Sequence, residues 1–366
     1  MTMPASGPLN MGGTSSPVSV AQELGLGLTS TITMDQANVR TLAGVGGSGT
    51  TWSMSSLYGK SNRVAISFTF SSTTANATLN VTTIGGYVAG KSDITVTINA
   101  GVYLYSTVNT TPGLTLSGGA AGDTLTVVNN GFIMGMGGNG SQTRGAVSSG
   151  MNGGTALSLG FTTTVNNTNA SAYIGGGGGG AQGNSQSSGK SLSLRGGGGG
   201  GAGGGAGAAG GATGATGGAG GAPGAVGANG GAGPGQGSFG RGGGAGGGGG
   251  GRFTSGKTSN AYGGGGGGRV FPGTGGAGGP GSVATQNGYA GGAANAAGTS
   301  APNDIAYTAG GGAGGGGWGA SGGGTYSNVA PIVFSAGGAG GKAVALNGFT
   351  ITWVSGDTTR VYGGVS

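Results

Sequence analysis

The chain contains no histidine and no cysteine among its 366 residues. Zinc, haem, iron–sulfur and blue-copper centres draw on those two residue types, and so do Ser–His and Cys–His nucleophile pairs. Disulfides are excluded too, so cysteine usage gives no redox compartment. Acids are nearly as scarce. Glu23, Asp35, Asp93, Asp123, Asp304 and Asp357 are the whole set, and no two lie within ten residues of each other. Glycoside hydrolysis needs two carboxylates a few ångströms apart, and six scattered acids give few chances to assemble such a pair. No catalysis and no cofactor are expected. No apolar run approaches the ~18 residues of a membrane span, so no membrane insertion is expected. The opening residues, 1–11, are small and polar, without the basic and apolar regions of a signal peptide.

Thirteen Lys and Arg give a net charge of +7. That balance suits an anionic partner. The basic residues are spread singly, however, with no adjacent pair, and charged residues make up only 5% of the chain. Nucleic-acid binders cluster their positive charge, so no nucleic-acid partner is expected. Gly256-Lys257-Thr258 carries Phe253 and Thr254 inside what would be a phosphate loop and has no strand-to-helix context. Nucleotide binding is not expected either.

What is abundant is glycine, at 106 residues against about 7% in ordinary proteins. Seventy-four of these lie between Gly175 and Gly341. Outside that stretch the chain reads as ordinary structure. Residues 1–62 repeat a short helical pattern three times, at Ser19–Gly25, Thr33–Gly44 and Ser53–Gly59. Ser19 with Gln22, and Thr33 with Gln36, have capping-box spacing. A glycine closes each run, where a left-handed C-cap is needed. We read a small α-containing docking module; an irregular arm is the other option.

Residues 63–174 read as β. Val64, Ile66, Phe68 and Phe70 alternate with small or polar residues, as do Ile94, Val96 and Ile98. Thr and Val dominate 78–83 and 124–128, which also favours strands. Thr126-Val127-Val128-Asn129-Asn130-Gly131 returns some 37 residues later as Thr164-Val165-Asn166-Asn167, then Tyr173-Ile174 and six glycines. Stacked solenoid coils repeat in this way; a short β-solenoid and a packed β-sheet both stay open. Residues 343–366 read as a terminal unit. Phe349, Ile351 and Trp353 alternate with threonines after Asn347-Gly348, a strong hairpin-turn signal. Residues 360–362 offer a third strand.

Residues 175–342 form the glycine domain. Runs of six occupy Gly175–Gly180, Gly196–Gly201, Gly246–Gly251 and Gly263–Gly268, and a run of four is Gly314–Gly317. A flexible linker is the ordinary reading of such composition. Ordering each residue costs roughly 1–2 kcal/mol, so an ordered glycine domain must recover that through backbone hydrogen bonds and close packing. A bundle of left-handed, three-residue helices of the polyproline II type does so. Such a helix has no internal hydrogen bonds, so its N–H and C=O groups point to its neighbours. Each of three successive residues then meets a different neighbour, and an interior helix must be glycine throughout. An edge helix needs glycine only every third residue, as at Gly211, Gly214, Gly217 and Gly220, then Gly221, Gly224, Gly227, Gly230 and Gly233. A linker has no reason to keep that phase.

Between the runs lie segments that carry the domain's large side chains. Arg252, Phe253, Lys257, Tyr262, Arg269, Phe271, Tyr289 and Tyr326 are the candidate contact residues. Aromatic and Arg side chains among Ser and Asn are typical of binding loops on a stiff scaffold. Tyr262 and Trp318 directly flank glycine runs, Tyr173 stands one residue away from one, and all three also fit as caps on the ends of glycine helices.

The glycine domain, with its Tyr-Gly and Gly-Trp-Gly edges, resembles the receptor-recognising tail-fibre adhesins of T-even-type phages. The opening phrases around Ser6–Gly13, Ile32–Gly44 and Ser53–Lys60 are similar to short openings found in phage structural proteins. Gly337–Gly348, followed by Thr352-Trp353 and Arg360–Ser366, is similar to the closing segment of tail-tip host-specificity proteins. The resemblance implies a polyglycine II tip whose loops bind a bacterial outer-membrane protein or surface glycan. It also implies attachment of residues 1–62 to other phage tail or baseplate proteins, a place in the virion, and synthesis in the host cytoplasm. A homotrimer is admitted. The N-terminal region departs from the T-even adhesins, which bears on the mode of attachment. A purely structural fibre or decoration component is the alternative. The bundle predicts that the amides of Gly246–Gly251 exchange with solvent far more slowly than those of an unfolded peptide; equal rates would leave only a tether.

Overall fold

The computed structural model describes residues 2–13, 18–27, 29–141, 150–182, 184–185, 195–196, 292, 294–300, 313–326, 334–354 and 358–366. The protein is mainly β, and its strands enter three parallel sheets in rotation. The first circuit is β1 (Val64–Phe70), β2 (Thr74–Ala75) and β3 (Ala77–Asn80). The second is β4 (Ser92–Ile98), β5 (Tyr103–Tyr105) and β6 (Leu114–Ser117). The third is β7 (Thr124–Asn129), β8 (Phe132–Met134) and β9 (Leu157–Leu159). The fourth opens with β10 (Thr163–Asn166) and β11 (Tyr173–Gly175). Two antiparallel pairs intervene, β12 (Asn184–Ser185) with β13 (Arg195–Gly196), and β14 (Thr325–Tyr326) with β15 (Phe334–Ser335). The circuit then closes with β16 (Val344–Ala345). The fifth is β17 (Ile351–Trp353) and β18 (Val361–Tyr362). The sheet orders are β1-β4-β7-β10-β17, β2-β5-β8-β11-β18 and β3-β6-β9-β16.

Register follows from the apolar alternation, because a one-residue slip would turn every inward side chain out. Leu104, Ile133 and Ile174 align on adjacent strands, as do Leu114, Leu157 and Val344, and all six are fully buried. The sequence repeat is a register: Thr164 pairs with Thr126 and Val165 with Val127. Its corner asparagines are bonded to each other. Asn129 Nδ2 donates to Asn167 Oδ1 at 2.9 Å, and both residues are fully buried. Arg360 continues this corner, donating to the carbonyls of Asn167 and Ala172.

The chain divides into two compact units. The first comprises Met1–Ser67, Thr82–Thr95 and Gly119–Thr124; the second comprises Phe68–Val81, Val96–Gly118 and Leu125–Ser366. In the first, α1 (Val20–Glu23) starts with the expected capping box, Ser19 against Gln22. The helix α2 (Ala37–Ala43) begins later than its sequence pattern suggests. Gln36 itself is the N-cap, with no side-chain cap bond, and its amide turns back to Thr31, so the Thr33–Gln36 box does not form. A 3₁₀ turn, Met54–Leu57, is capped by Ser53. All three closing glycines, Gly25, Gly44 and Gly59, have positive φ. Met3, Val20, Leu24, Val39, Leu42 and Leu57 form one buried cluster, so the three helical pieces share a core.

Residues 78–83 are only half a strand, since a 3₁₀ turn, Val81–Thr83, follows β3. The terminal hairpin does not form. Asn347 and Gly348 take the positive φ values of a tight turn, 51° and 87°. The strands on either side nevertheless join different sheets: β16 pairs in parallel with β9, and β17 with β10. Residues 361–362 pair with β11 instead of with β17. The free edges of β9, β10 and β11 outcompete the local turn. Asn347 Nδ2 anchors the corner by donating to Ser158 Oγ and the Leu159 carbonyl, each at 2.9 Å.

Beyond β11 the chain runs straight on through Gly176–Gln182, and its carbonyls fall into three sets. Those of Gly175, Gly178 and Ala181 accept from the amides of Gly135, Gly138 and Ser141 at 2.8–2.9 Å. Those of Gly176, Gly179 and Gln182 accept from Gly319, Gly316 and Ala313. Those of Gly177 and Gly180 accept from Gly341 and Gly338. The amides follow the same count. Gly177 and Gly180 donate to Gly154 and Met151, while Gly176, Gly179 and Gln182 donate to Tyr362, Ala320 and Gly323. The repeat is three residues, not the two of a strand, and the bonds run between segments, unlike those of an α-helix. Residues 175–182 are all buried. A Cβ on Gly177 would stand far inside 3.0 Å of the Met136 carbonyl oxygen. Gly177→Ala should therefore destabilise the second unit by about 3 kcal/mol, seen as a lower denaturation midpoint. Gly47→Ala, whose Cβ meets nothing within 4 Å, should change stability by less than about 0.5 kcal/mol. A wild-type midpoint for Gly177→Ala would contradict the close packing.

Candidate functional site

At its base the glycine array stands on an aromatic group. Tyr103 stacks on Phe132 at 4.6 Å, Phe132 meets Tyr173 at 5.1 Å, and Tyr173 meets both Trp318 (5.7 Å) and Tyr362 (5.8 Å). Tyr103, Phe132 and Tyr173 align on adjacent strands, on the face opposite Leu104, Ile133 and Ile174. Tyr173 and Trp318 are each 1% exposed, and Trp318 covers the bare face of Gly175. These two aromatics thus seat the proximal end of the array. Tyr173 donates its hydroxyl to Met134 Sδ at 3.1 Å, and burial pushes its pKa well up.

The opposite end is level with Gln182. The segment 135–141 runs alongside 175–181 and ends at Ser141, beside Ala181. Gly150 and Met151 return there, next to Gly180. Ala313 donates to the Gln182 carbonyl, Gly314 to Thr299, and Gly324 to Ser300 Oγ. Gln182 itself donates to Gly323, two residues before β14 begins. The described residues on either side of 142–149, 301–312 and 327–333 therefore gather at one end of the array, and Gln182 leads into 183–291 from the same level.

Of the candidate contact residues, Arg252, Phe253, Lys257, Tyr262, Arg269, Phe271 and Tyr289 lie outside the described residues, within 183–291. Tyr326 lies in β14, with its backbone opposite Phe334. The edge-type glycine phase at 211–233 and the runs Gly246–Gly251 and Gly263–Gly268 also lie outside the described residues.

Sequence reasoning missed a cleft of about 480 Å³ in the first unit, lined by Glu23, Arg63, Lys91, Asp93 and Thr124 among others. Strand starts far apart in sequence build it. Arg63 holds Asp93 through an ion pair of 2.7 Å and also donates to the carbonyls of Gly122 and Ser92. Thr124 Oγ1 donates to the same carboxylate at 2.6 Å. Glu23, 6% exposed, accepts from Ser61 Oγ and the Asn62 amide. Two of the six acids thus share a cleft. The Arg63 hydrogen bond lowers the Asp93 pKa, outweighing partial burial, so Asp93 is a fixed anion and not a proton donor. Asp123 is similar. Burial alone would raise its pKa, but bonds from the Ala120 and Ser92 amides and the Tyr87 hydroxyl together hold it below the usual value. Among the described residues no group of His, Cys, Asp or Glu is placed to hold a metal ion. No described helix is long and apolar enough to cross a membrane.

The sequence signature of one known family, described as phage tail fibre adhesin Gp38, matches residues 64–254, more than half of the chain. The protein is a phage tail adhesin. It belongs to the tail fibre adhesin Gp38 family, and the match opens at β1. Among solved structures it is similar to the crystal structure of the gp37-gp38 adhesin tip complex of the bacteriophage S16 long tail fiber. That likeness has a TM-score of 0.38 and 16% identity, over 97% of this chain and 100% of that chain. No curated relative matches the sequence.

The lowered carboxylates Asp93 and Asp123 give stability of one sign. Each is held more strongly as an anion in the folded state than in the unfolded chain, where its pKa is close to 3.8. Their contribution is complete above that value and is lost as pH falls below it. Denaturation of the protein followed from pH 6 down to about pH 2 should show the first unit weakening only below about pH 4. In Asp123→Asn that acid limb should flatten. A limb unchanged by the substitution would contradict the assignment.

Proposed function

We propose that the protein is a receptor-binding tail adhesin whose glycine array is a polyglycine II bundle, carried on a β-solenoid. The observation that carries this reading is the three-residue exchange of backbone hydrogen bonds around Gly175–Gln182, together with the gathering of the exit points at one end. Chains of the polyproline II type have no internal hydrogen bonds and three residues per turn, so this exchange is what packing them side by side requires. The rotation of strands through three parallel sheets, with an in-register asparagine pair at one corner, supports the solenoid.

Loops on a stiff scaffold are the usual place for recognition. The candidate contacts from Arg252 to Tyr289 fall in sequence between Gln182 and Gly292, and Tyr326 lies in β14. Their partner is a bacterial outer-membrane protein or surface glycan. Residues 1–62, with a buried core of their own, attach the adhesin to other phage tail or baseplate proteins. The chain performs no chemistry and uses no cofactor. Asp93 is neutralised by Arg63, and the other carboxylates are dispersed along the sequence.

Exchanging residues 252–289 between related phages should transfer host range, measured as adsorption to each host. Purified protein should also bind susceptible cells, and deletion of 252–289 should cut that binding at least about tenfold, as loss of interface anchors does. Unchanged adsorption after both manipulations would favour a purely structural fibre or decoration component.

A further inference from the structure

The central chain of the array is completed by residues that follow it at a long distance in sequence. Among the described backbone bonds of Gly176–Gln182, earlier residues serve only the amides of Gly177 and Gly180 and the carbonyls of Gly178 and Ala181. The rest reach 313–323, 338–341 and Tyr362. One of these later segments does more than fill a side of the array. Gly338 and Gly341 donate to Gly180 and Gly177 at 2.8 and 2.7 Å. The next two residues, Lys342 and Ala343, already belong to the sheets, their carbonyls accepting from Ala156 and Leu157. Strands β16, β17 and β18 then cover the edges of β9, β10 and β11 in turn. At the end of β18 the Tyr362 carbonyl accepts from Gly176, so the segment finishes on the chain where it started. A Cβ on Gly363 would lie inside 3.0 Å of the Gly341 carbonyl oxygen, so the two ends of the segment also meet each other.

We infer that residues 337–354 and 358–366 are a closing strap, and that the array and the last circuit of the sheets become ordered together, in one step, when it docks. Ordering bare glycine is costly in entropy, and a central chain with only its earlier neighbours lacks the bonds and close packing that offset the cost. Before docking, β9, β10 and β11 also present unpaired edges, which are templates for wrong pairing. At the ~5–20 residues per second of synthesis, residues beyond 312 follow Gln182 by on the order of ten seconds. During that interval the early circuits fold and the array waits. The strap thus makes an ordered array conditional on residues 337–366. This holds whatever the array presents, so the inference stands or falls separately from the receptor-binding reading.

The test is pulsed amide exchange during refolding of the full 366-residue chain. The amides of Gly138, Gly177 and Gly180 donate to Gly178, Gly154 and Met151, all of which precede residue 183. If the array formed locally, these amides would become protected with the early circuits. The strap predicts instead that they gain protection at the rate of Gly338, Gly341 and Val354, within about twofold, and after Asn99 and Asn130, whose amides join the first three circuits. Protection in step with Asn99 and Asn130, or at a rate unlike that of the strap, would overturn the inference. Two variants test the coupling at equilibrium from opposite ends. Val344→Ala trims a fully buried side chain in β16, and Gly341→Ala puts a Cβ against the Gly154 carbonyl oxygen. Each should lower protection at Gly177, Gly180 and Val354 by a common factor of about ten or more, because one cooperative unit opens as a whole. Asn99 and Asn130 should stay within about twofold of wild type. Loss confined to the sheets in Val344→Ala, or to the array in Gly341→Ala, would overturn the inference. Should either variant fail to fold, the refolding order of the wild-type protein decides.

Discussion

The hydrogen bonds between bare backbones in the glycine array are the constraint on which the rest of the molecule depends. Glycine gives up more conformational freedom on ordering than any other residue. The array has almost no side chains whose burial could offset that loss. What remains is saturation: the amides and carbonyls of Gly176, Gly177, Gly179 and Gly180 all find partners on adjacent segments. Contact is so close that a Cβ at these positions would collide with a neighbouring carbonyl. The glycine that makes ordering costly is also what permits the packing that compensates for it.

Such an array needs a seed that fixes the phase of its chains, and the sheets supply it. Strand β11 passes without interruption into Gly176–Gln182, and Met134 at the end of β8 leads directly into 135–141. Two of the array's chains thus start as adjacent parallel strands with their register already set, Ile174 opposite Ile133. The aromatic group of Phe132, Tyr173 and Trp318 fills the step where pleated strands give way to side-chain-free backbone. Apolar burial, which the array lacks, is concentrated immediately beneath it.

Much of this architecture was legible in the sequence, for reasons that differ by element. Strands β1 and β4 announced themselves by alternation, since one face of each meets the interior, and β7 by its Thr and Val content. The asparagine repeat left stacked coils and a packed sheet both open, and its two copies lie on the paired strands β7 and β10. The capping box at Ser19 formed as written, while that at Thr33 did not, because α2 starts only at Ala37. The Asn347-Gly348 turn was right locally and wrong in consequence. Turn chemistry fixes two residues, whereas the partners of β16 and β17 are fixed by strands nearly two hundred positions earlier in the chain. The glycine runs disclosed that each residue meets a different neighbour, but not which neighbours. The cleft holding Glu23, Arg63 and Asp93 left no sequence signal, as three strand starts must come together to build it.

Through-hydrogen-bond scalar couplings in solution test the central claim most directly. Nitrogen–carbonyl couplings should link the amide of Gly177 to Gly154, Gly180 to Met151, and Gly179 to Ala320, with the partner segment recurring every third residue. Couplings recurring every second residue, as in a sheet, or none in a protein whose strands are otherwise folded, would contradict the account.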